Sequence, residues 1–369
     1  MGSPIPAPPR RPGPAVPPDE AGDLLAEGPA VPGGDVEAPV RRSKRTSRRS
    51  LLASYAVTVL ALVCLNFFLP RILPGDPISA MVDSASPSYV QSEQLRAELE
   101  EYYDLDQLML VQFGHYLSGL ATGDLGTSIR YNRPVAELVG ERLPWTILLI
   151  TTGMTLAALM GWLSGAHSGW RRGRPVDSGL LVLFMGLKSF PGFFLASIAL
   201  FVFAVQADLV PLSGAQTPFA TSMGTLERVG DIASHLILPA FVMALPFAGG
   251  QYHLMRASVV SELGADHLQL GRAKGLRDRR LKYRYAARNA LLPVVTLTAI
   301  HLSGAVTTEA IVIETVFAYP GMGRLLFDAV PFRDYPTLQA CFLVLGLVVI
   351  TGNLLADLLY RRLDPRTRA

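Results

Sequence analysis

A chain of 369 residues is long enough for two or three soluble domains, but its composition excludes an ordinary soluble protein. Half of the residues are apolar and only 17% are charged, compared with about 25% in soluble domains. The charges lie in short blocks between long apolar runs, which is typical of a chain that crosses a membrane several times, and the net charge of +3 gives no support for nucleic-acid binding.

The first 50 residues are rich in proline, glycine, alanine and acidic residues, and this composition predicts a disordered tail. The tail ends in a basic block that directly precedes an apolar run over residues 51–73. A cleaved twin-arginine leader is one interpretation, because Arg48-Arg49 precedes the run. An uncleaved first span is favoured, because the run is long and no small-x-small cleavage site precedes Pro70. The block comprises Arg41, Arg42, Lys44, Arg45, Arg48 and Arg49.

Six apolar runs reach or approach the roughly 20 residues that a helix needs to cross a membrane. They cover Leu51–Leu69, Trp145–Ala166, Leu180–Val205, Leu236–Leu254, Leu291–Phe317 and Thr337–Leu359. With six spans, every dense cluster of lysine and arginine falls on one side, which predicts that both termini are cytoplasmic. The sequence therefore predicts an all-α polytopic membrane protein with six transmembrane helices.

The segment between the first two runs, residues 74–143, falls on the external side and is mainly acidic. Ser92–Tyr103 has helical composition, and Gln107–Leu120 has apolar residues at helical spacing. We therefore expect a small, mostly helical external domain. Residues 144–360 then form a five-helix core, and residues 361–369 form a cytoplasmic tail.

The basic cytoplasmic loop over residues 256–290 is longer than an ordinary connection between spans. Ala265–Lys274 is predicted to be a short helix that ends at Gly275. A second helical stretch, Leu281–Leu291, leads into a span that tolerates Pro293 in its first turn. A solvated basic loop without function is the alternative, but a helix–glycine–helix element is stiff enough to transmit force.

This loop resembles the coupling loop of ABC importer permeases in the oligopeptide, dipeptide and nickel group. The resemblance lies in the sequence GRAKGL at residues 271–276, followed by R-x-A-x-R-N-A-L-L-P-V. It implies the type I importer permease fold and a helix that docks into a groove of an ATPase subunit. By this resemblance the docking residues are Asp266, Arg272, Ala273, Lys274 and Gly275, with Asn289 and Pro293 joining them to the fifth span. The Glu-Ala-Ala triplet of the wider superfamily is replaced by Gln269-Leu270-Gly271.

Further stretches agree with the same family in their order along the chain. They are Pro74–Pro77, Gly123–Ser128 with Arg133–Val135, Arg142–Thr146, Glu314–Phe317 with Pro320–Gly323, Arg333–Pro336 and Asp364–Arg366. In the external stretch after the fifth span, Pro320 and Gly321 are expected to break the helix, and Gly323 to permit a second tight turn. A short re-entrant loop near the pore mouth fits this pattern, and an ordinary turn between helices is the alternative.

Charged residues inside the predicted spans are candidates for the transport path or its gate. Glu309 and Glu314 are the strongest, although either could make an interhelical hydrogen bond instead. Lys188 is interpreted as snorkelled or paired with a buried partner, and His301 as a satisfied interhelical donor. Gly161 and Gly165 form a G-x-x-x-G pattern that marks either packing within the bundle or a heterodimer face.

No enzymatic site is expected. The sequence contains no Walker A motif, no CxxC and no HExxH, and its six histidines are scattered, so neither a metal nor a cofactor is predicted. Its two cysteines, Cys64 and Cys341, each lie in an apolar run, which favours buried free thiols over a disulfide. Any ATP hydrolysis must therefore come from a partner.

The resemblance implies a peptide importer permease in a bacterial cytoplasmic membrane. Its expected partners are a homologous second permease, two ATPase subunits, an extracytoplasmic substrate-binding protein and the lipid bilayer. Nickel, glutathione or another small solute remains open as the cargo. A secondary transporter driven by an ion gradient would need a charged relay near the midplane and no docking loop, and a membrane enzyme would need paired acids, a metal cluster or a nucleophile with its base.

Overall fold

The computed structural model describes residues 48–72, 107–307 and 309–363, and within these ranges the chain is mostly helical and contains no β-strand. Residues 1–47 of the predicted tail, the motif stretch Pro74–Pro77, the stretch Ser92–Tyr103 and the closing Asp364-Pro365-Arg366 lie outside the described residues, whereas residues 48–50 of the tail begin the first helix. The helices are α1 (Arg48–Ile72), α2 (Met109–Thr122), α3 (Val135–Trp170), α4 (Pro175–Ser189), α5 (Gly192–Ala199), α6 (Thr225–Glu262), α7 (Asp266–Ala273), α8 (residues 278–289), α9 (Leu291–Thr307), α10 (Glu309–Val316), α11 (Met322–Ala329) and α12 (Tyr335–Leu363).

Three helices are long and apolar enough to cross a membrane: α3, α6 and the Tyr335–Leu355 part of α12. A fourth span is obtained if α4 and the helical segment that follows it are counted together. Shorter apolar helical stretches occur at Leu52–Phe68 and Leu291–Leu302. The described residues therefore contain a multi-span helical bundle, and the count of six spans remains a prediction.

The two central helices are much longer than the apolar runs from which they were predicted. α3 has 36 residues and α6 has 38, so each extends for more than about 50 Å, compared with a hydrocarbon core of roughly 30 Å. α3 already begins at Val135 and continues through Pro144. The predicted boundary between an external segment and a core at residues 143 and 144 therefore lies inside a continuous helix, because its first turns are too polar to be recognised as part of a span.

The run Leu180–Val205, predicted as one span, is broken. α4 ends at Ser189, the next helical segment covers residues 192–206, and the two meet at an angle of 102°. Phe190 adopts an extended conformation with ψ of 138°. This is the conformation that a following proline, here Pro191, imposes on its neighbour. The prediction of one continuous helix was wrong, because the run is apolar on both sides of the break and hydropathy alone does not reveal the effect of Pro191.

The glycines of α3 allow this helix to pack closely against α6. A Cβ atom on Gly161 would lie 2.5 Å from the Cβ atom of Gln251, and one on Gly165 would lie 2.7 Å from the carbonyl oxygen of Tyr252. A Cβ atom on Gly169, one further turn along, would lie 2.9 Å from the carbonyl oxygen of Arg256. The G-x-x-x-G pattern therefore serves packing within the chain, and the alternative of a heterodimer face is wrong for these two glycines.

Both cysteines are free thiols, as predicted: Cys341 is buried and Cys64 is partly buried.

Candidate functional site: a short basic helix and a hairpin at opposite ends of α3

The short helix α7 lies between α6 and α8 and is closed by a glycine. Gly275 has a φ of +68°, a left-handed conformation that glycine adopts without strain. The amide of Leu276 donates to the carbonyl of Gly271 at 3.1 Å, and that of Gly275 donates to the carbonyl of Arg272 at 2.9 Å. These two bonds form a Schellman motif, which satisfies the last carbonyls and fixes where α7 ends.

One face of α7 is anchored to the helix bundle. Leu268 is fully buried in a cluster with Leu281 and Ala286 of α8, and the ring of Trp170 at the end of α3 packs against it. A Cβ atom on Gly271 would lie 2.5 Å from the side chain of Leu281, so a larger residue here would have to displace this buried leucine. α7 is therefore held by packed side chains and is not a freely moving loop.

A hydrogen bond and a cation–π contact join the same elements. The indole Nε1 of Trp170 donates to Oδ2 of Asp278 at 3.0 Å. The guanidinium of Arg272 lies 5.8 Å from the centre of the Trp170 ring. The end of α3 therefore contacts both the helix before the glycine and the segment after it.

The predicted docking residues lie on the free face of α7, at its edge beside Trp170 and at its C-terminal end. Asp266, Arg272, Ala273, Lys274 and Gly275 are all exposed. Asp266 lies in the first turn and Arg272 in the last, where their charges complement the helix dipole. These side chains are thus available to a partner.

Asn289 and Pro293 lie where α8 passes into α9. The amide nitrogen of Asn289 is 3.4 Å from Nε2 of His267 on α7, so this residue meets the short helix. Pro293 is the third residue of α9, in the first turn, where a proline displaces no helical hydrogen bond.

The sequence analysis missed one residue of this face. Leu270 is 56% exposed although it is apolar and lies on a helix whose inner face is fully buried. Its neighbours Leu268 and Gly271 point inward, so the helical period alone places Leu270 on the free side. Leu270 therefore lies on the same free face as Asp266 and Ala273, where a docked partner would cover it.

At the other end of α3, Glu314 is fully buried within a closed hydrogen-bond network. Its Oε1 accepts from the hydroxyl of Thr146 on α3 at 2.6 Å, and its Oε2 accepts from the amide of Arg324 on α11 at 3.1 Å. The hydroxyl oxygen of Thr146 in turn accepts from the amide of Met322 at 2.7 Å. Glu314 therefore caps the first turn of α11 and ties the α10–α11 hairpin to α3.

The carboxylate of Glu314 also explains Gly321, because a Cβ atom there would lie 2.2 Å from it. α10 ends at Val316, and Pro320 follows within the turn. The positive φ of this turn is at Ala318, +50°. The prediction that Gly323 permits a tight turn was wrong, because Gly323 lies inside α11. Because Gly323 has no side chain, α11 can approach the backbone of α10. A Cβ atom at position 323 would lie only 2.6 Å from the Cα atom of Ile311.

Two further motif stretches, separated by about half of the chain, meet beside this hairpin. Asp334 is buried and accepts from the hydroxyls of Ser128 at 2.5 Å and Thr337 at 2.7 Å. The guanidinium of Arg130 lies 4.3 Å from the centre of the Phe332 ring. Nearby, the Arg133 guanidinium donates hydrogen bonds to the carboxylates of Glu141 and Glu137, which raise its pKa. The loop over residues 123–134 is thus fastened to the start of α12.

Glu309 lies beside the break between α4 and α5. Its side chain is half-buried, and its Oε2 would be 2.4 Å from a Cβ atom on Gly192, the first residue of α5. Lys188, in the last turn of α4, is exposed. The ammonium group of Lys188 therefore lies before the break, and the carboxylate of Glu309 lies beside the residue that follows it.

His301 differs from its prediction. Its Nδ1 is buried and has no hydrogen-bond partner among the described residues, and its ring lies 5.2 Å from that of Phe247. The prediction of a satisfied interhelical donor was wrong, because an aromatic side chain packs against this ring. No group of three histidine, cysteine, aspartate or glutamate side chains in the described parts of the chain could hold a metal ion.

Comparison with known proteins identifies the chain at the family level. The family described as "Binding-protein-dependent transport system inner membrane component" matches residues 139–369, which include the short helix α7 and the α10–α11 hairpin. The chain belongs to this family. It is therefore a membrane-spanning transport permease, and the apolar helices α3, α6 and α12 agree with that assignment.

Several permeases resemble this one along most of its length. The oligopeptide transport system permease protein AppB of Bacillus subtilis is 34% identical over 321 residues, which cover 86% of this permease and 97% of AppB. The dipeptide transport system permease protein DppB of Alkalihalophilus pseudofirmus is 32% identical, covering 84% and 95%. The glutathione transport system permease protein GsiC of Pectobacterium atrosepticum is 35% identical, also covering 84% and 95%.

Proposed function

We propose that this permease and a homologous second permease form the pathway of an ATP-driven peptide importer in a bacterial cytoplasmic membrane. Two separate ATPase subunits supply the energy, and an extracytoplasmic binding protein delivers the cargo. The observation that carries this proposal is the short helix α7, which is anchored on one face by Leu268, closed by Gly275 and exposed along its basic face.

The contacts of α3 indicate how a movement of α7 would reach the α10–α11 hairpin. At one end, Trp170 packs against the α7–α8 cluster and hydrogen-bonds to Asp278. Toward the other end, in the fourth turn of α3, Thr146 hydrogen-bonds to Glu314 and so contacts the α10–α11 hairpin. A movement of α7 with an ATPase subunit would therefore tilt α3 and displace the hairpin, as expected when packed helices move as rigid bodies.

The gate and the pathway lie along this route. The α10–α11 hairpin, with Glu314, Pro320, Gly321 and Gly323, acts as the gate at the external end. Glu309 lines the path beside the break between α4 and α5. Its carboxylate is only half-buried within this chain, so part of it remains accessible to a passing substrate. The exposed Lys188 across the break supplies the opposite charge.

The membrane orientation is supported by the distribution of charge. Arg171, Arg172 and Arg174 follow α3, and the basic α7–α8 loop lies at the same end of the bundle. Basic loops remain in the cytoplasm, so both termini are cytoplasmic in a protein of six spans. The segment over residues 74–143 is then external, and the described part of it contains α2, the loop over residues 123–134 and the first turns of α3.

Peptides are the proposed cargo because oligopeptide and dipeptide permeases resemble this chain along its length. Glutathione is the second candidate, favoured by the equally similar glutathione permease. Affinity resides mainly in the binding protein, so the permease itself selects the cargo weakly.

Replacing Gly275 with valine tests the proposal. A β-branched residue at a φ of +68° costs about 1–2 kcal/mol, so the cap unwinds and α7 no longer meets its partner in register. We expect ATP-dependent uptake of labelled peptide to fall at least about tenfold, which corresponds to roughly 1.4 kcal/mol, while membrane insertion stays normal.

Gly264→Val is the matched control. Gly264 lies just before α7, its φ is not positive, and a Cβ atom there would meet nothing within 4 Å. This variant should transport normally. Unchanged uptake in Gly275→Val would remove the support for α7 as the coupling element.

A further inference from the structure

A large open cavity lies between the end of α3 and the segment that follows α7. Its volume is about 1040 Å³. Trp162, Leu163 and Trp170 of α3 form one wall, and Lys282 and Tyr283 of α8 form the other. The peptide pathway does not include it, since Glu309 and Lys188 lie beside the break between α4 and α5.

The lining of this cavity is strongly basic. Its only acidic residue, Asp278, accepts a hydrogen bond from Trp170. Among the described residues, no carboxylate lies within ion-pair distance of any of the lining cations. These cations are Arg171, Arg277, Arg279, Arg280, Lys282 and Arg284.

Among these cations Lys282 is the most deeply buried, because it is only 7% exposed. Its Nζ lies 2.7 Å from Nδ1 of His167 and 4.5 Å from the centre of the Tyr283 ring. The imidazole of His167 is neutral and the ring of Tyr283 carries no charge, so neither of them neutralises the ammonium group of Lys282. A buried cation is costly unless an anion accompanies it, and within the described chain none does. The cavity is therefore built to receive a negative charge.

The apolar part of the wall indicates what carries that charge. Leu163 is 47% exposed, and Leu159, one turn away along α3, is 45% exposed. A smaller adjoining cavity of about 400 Å³ shares Trp162, Tyr283 and Arg284 and continues to Leu291 at the start of α9. Basic side chains thus lie beside an exposed apolar strip on a membrane-spanning helix, with tryptophan and tyrosine between them, as at a membrane–water interface.

We propose that this cavity binds the phosphate headgroup of an anionic phospholipid, whose acyl chains lie along the exposed face of α3. An acidic protein surface or a soluble anion would match the cations but not the apolar strip. The site goes beyond the transport function and depends on it only for the assignment to the cytoplasmic leaflet. A bound lipid would brace the end of α3 against α8, next to the helix that couples to the ATPase.

The test uses the complete purified transporter and measures binding of cardiolipin and phosphatidylglycerol by native mass spectrometry. Arg279→Gln combined with Arg280→Gln removes two exposed cations without disturbing the buried side chains of Leu268, Leu281 and Ala286. Each basic residue near a membrane surface contributes about fivefold in affinity, so we expect a loss on the order of 25-fold. The control pair, Arg172→Gln with Arg174→Gln, changes two exposed arginines of the neighbouring loop that do not line the cavity, and should bind lipid as the unchanged protein does.

Further experiments distinguish an anionic lipid from the other ligands that this cavity could hold. Photoactivatable phosphatidylglycerol should label the peptide over residues 277–288, and phosphatidylcholine should bind far more weakly. Equal lipid binding by the Arg279→Gln/Arg280→Gln variant and the control would overturn the proposal. Displacement of the lipid by inorganic phosphate alone, or a crosslink from Tyr283 to a partner polypeptide, would also overturn it. Peptide uptake is measured separately, so failure of the lipid site is distinguishable from failure of the proposed transport function.

Discussion

Replacing Leu270 with glutamate is expected to abolish most ATP-driven uptake while leaving the permease folded and inserted. Leu270 is exposed on the free face of α7, so its loss removes no contact within the bundle. In a docked complex it would be buried, and an unpaired carboxylate in its place would have to lose its hydration. Loss of a hot-spot residue of an interface costs about 2 kcal/mol or more, so with Leu270 in that role uptake should decrease more than about tenfold.

Uptake into membrane vesicles and the amount of co-purified ATPase measure this effect together. Leu226→Glu is the matched control, because Leu226 is equally apolar, 87% exposed and located in the first turn of α6, far along the helix from α7. If both variants transported alike, Leu270 would have no part in docking.

The second large effect is expected at the packing of α3 against α6. Gly161→Ala and Gly165→Ala each add a single methyl group at a point where its nearest neighbours are 2.5 and 2.7 Å away. At Gly165 the neighbour is a backbone carbonyl, which cannot rotate aside. Overpacking of this kind costs about 1–3 kcal/mol for each site. We expect the double variant to accumulate poorly and to lose its thermal transition.

Gly179→Ala and Gly186→Ala provide the comparison, because a Cβ atom at either position of α4 meets nothing within 4 Å. In an open helix, alanine is favoured over glycine by up to about 1 kcal/mol, so these variants should be at least as stable as the unchanged protein. A double variant at Gly161 and Gly165 with normal thermal stability would contradict the packing described above.

Local features of the sequence predicted the position of the short helix α7 well. A helical composition followed by glycine placed α7 to within one residue at each end, and the left-handed Gly275 is where the pattern indicated it. Such signals depend on short-range chemistry, namely capping and the conformational freedom of glycine, and these are readable without a structure.

Features that depend on distant contacts could not be predicted. The hydrogen bond from Thr146 to Glu314 joins residues 168 positions apart, and that from Ser128 to Asp334 joins residues 206 apart. The sequence marked Glu314 and the stretches around Ser128 and Asp334, but nothing in it shows which of them meet. For the same reason Gly323 was assigned to a turn, although the backbone of Ile311 is what excludes a side chain there.

Crosslinking from position 274 tests the central claim most directly. Lys274 is exposed at the end of α7, so Lys274→Cys, in a chain whose Cys64 and Cys341 are replaced by serine, can carry a short thiol-reactive crosslinker without disturbing the bundle. A force-transmitting α7 predicts a covalent product with an ATPase subunit whose yield changes when ATP is bound, and no such product from Leu226→Cys. If position 274 yields no ATPase product in the complete transporter, with or without ATP, α7 is not the coupling element.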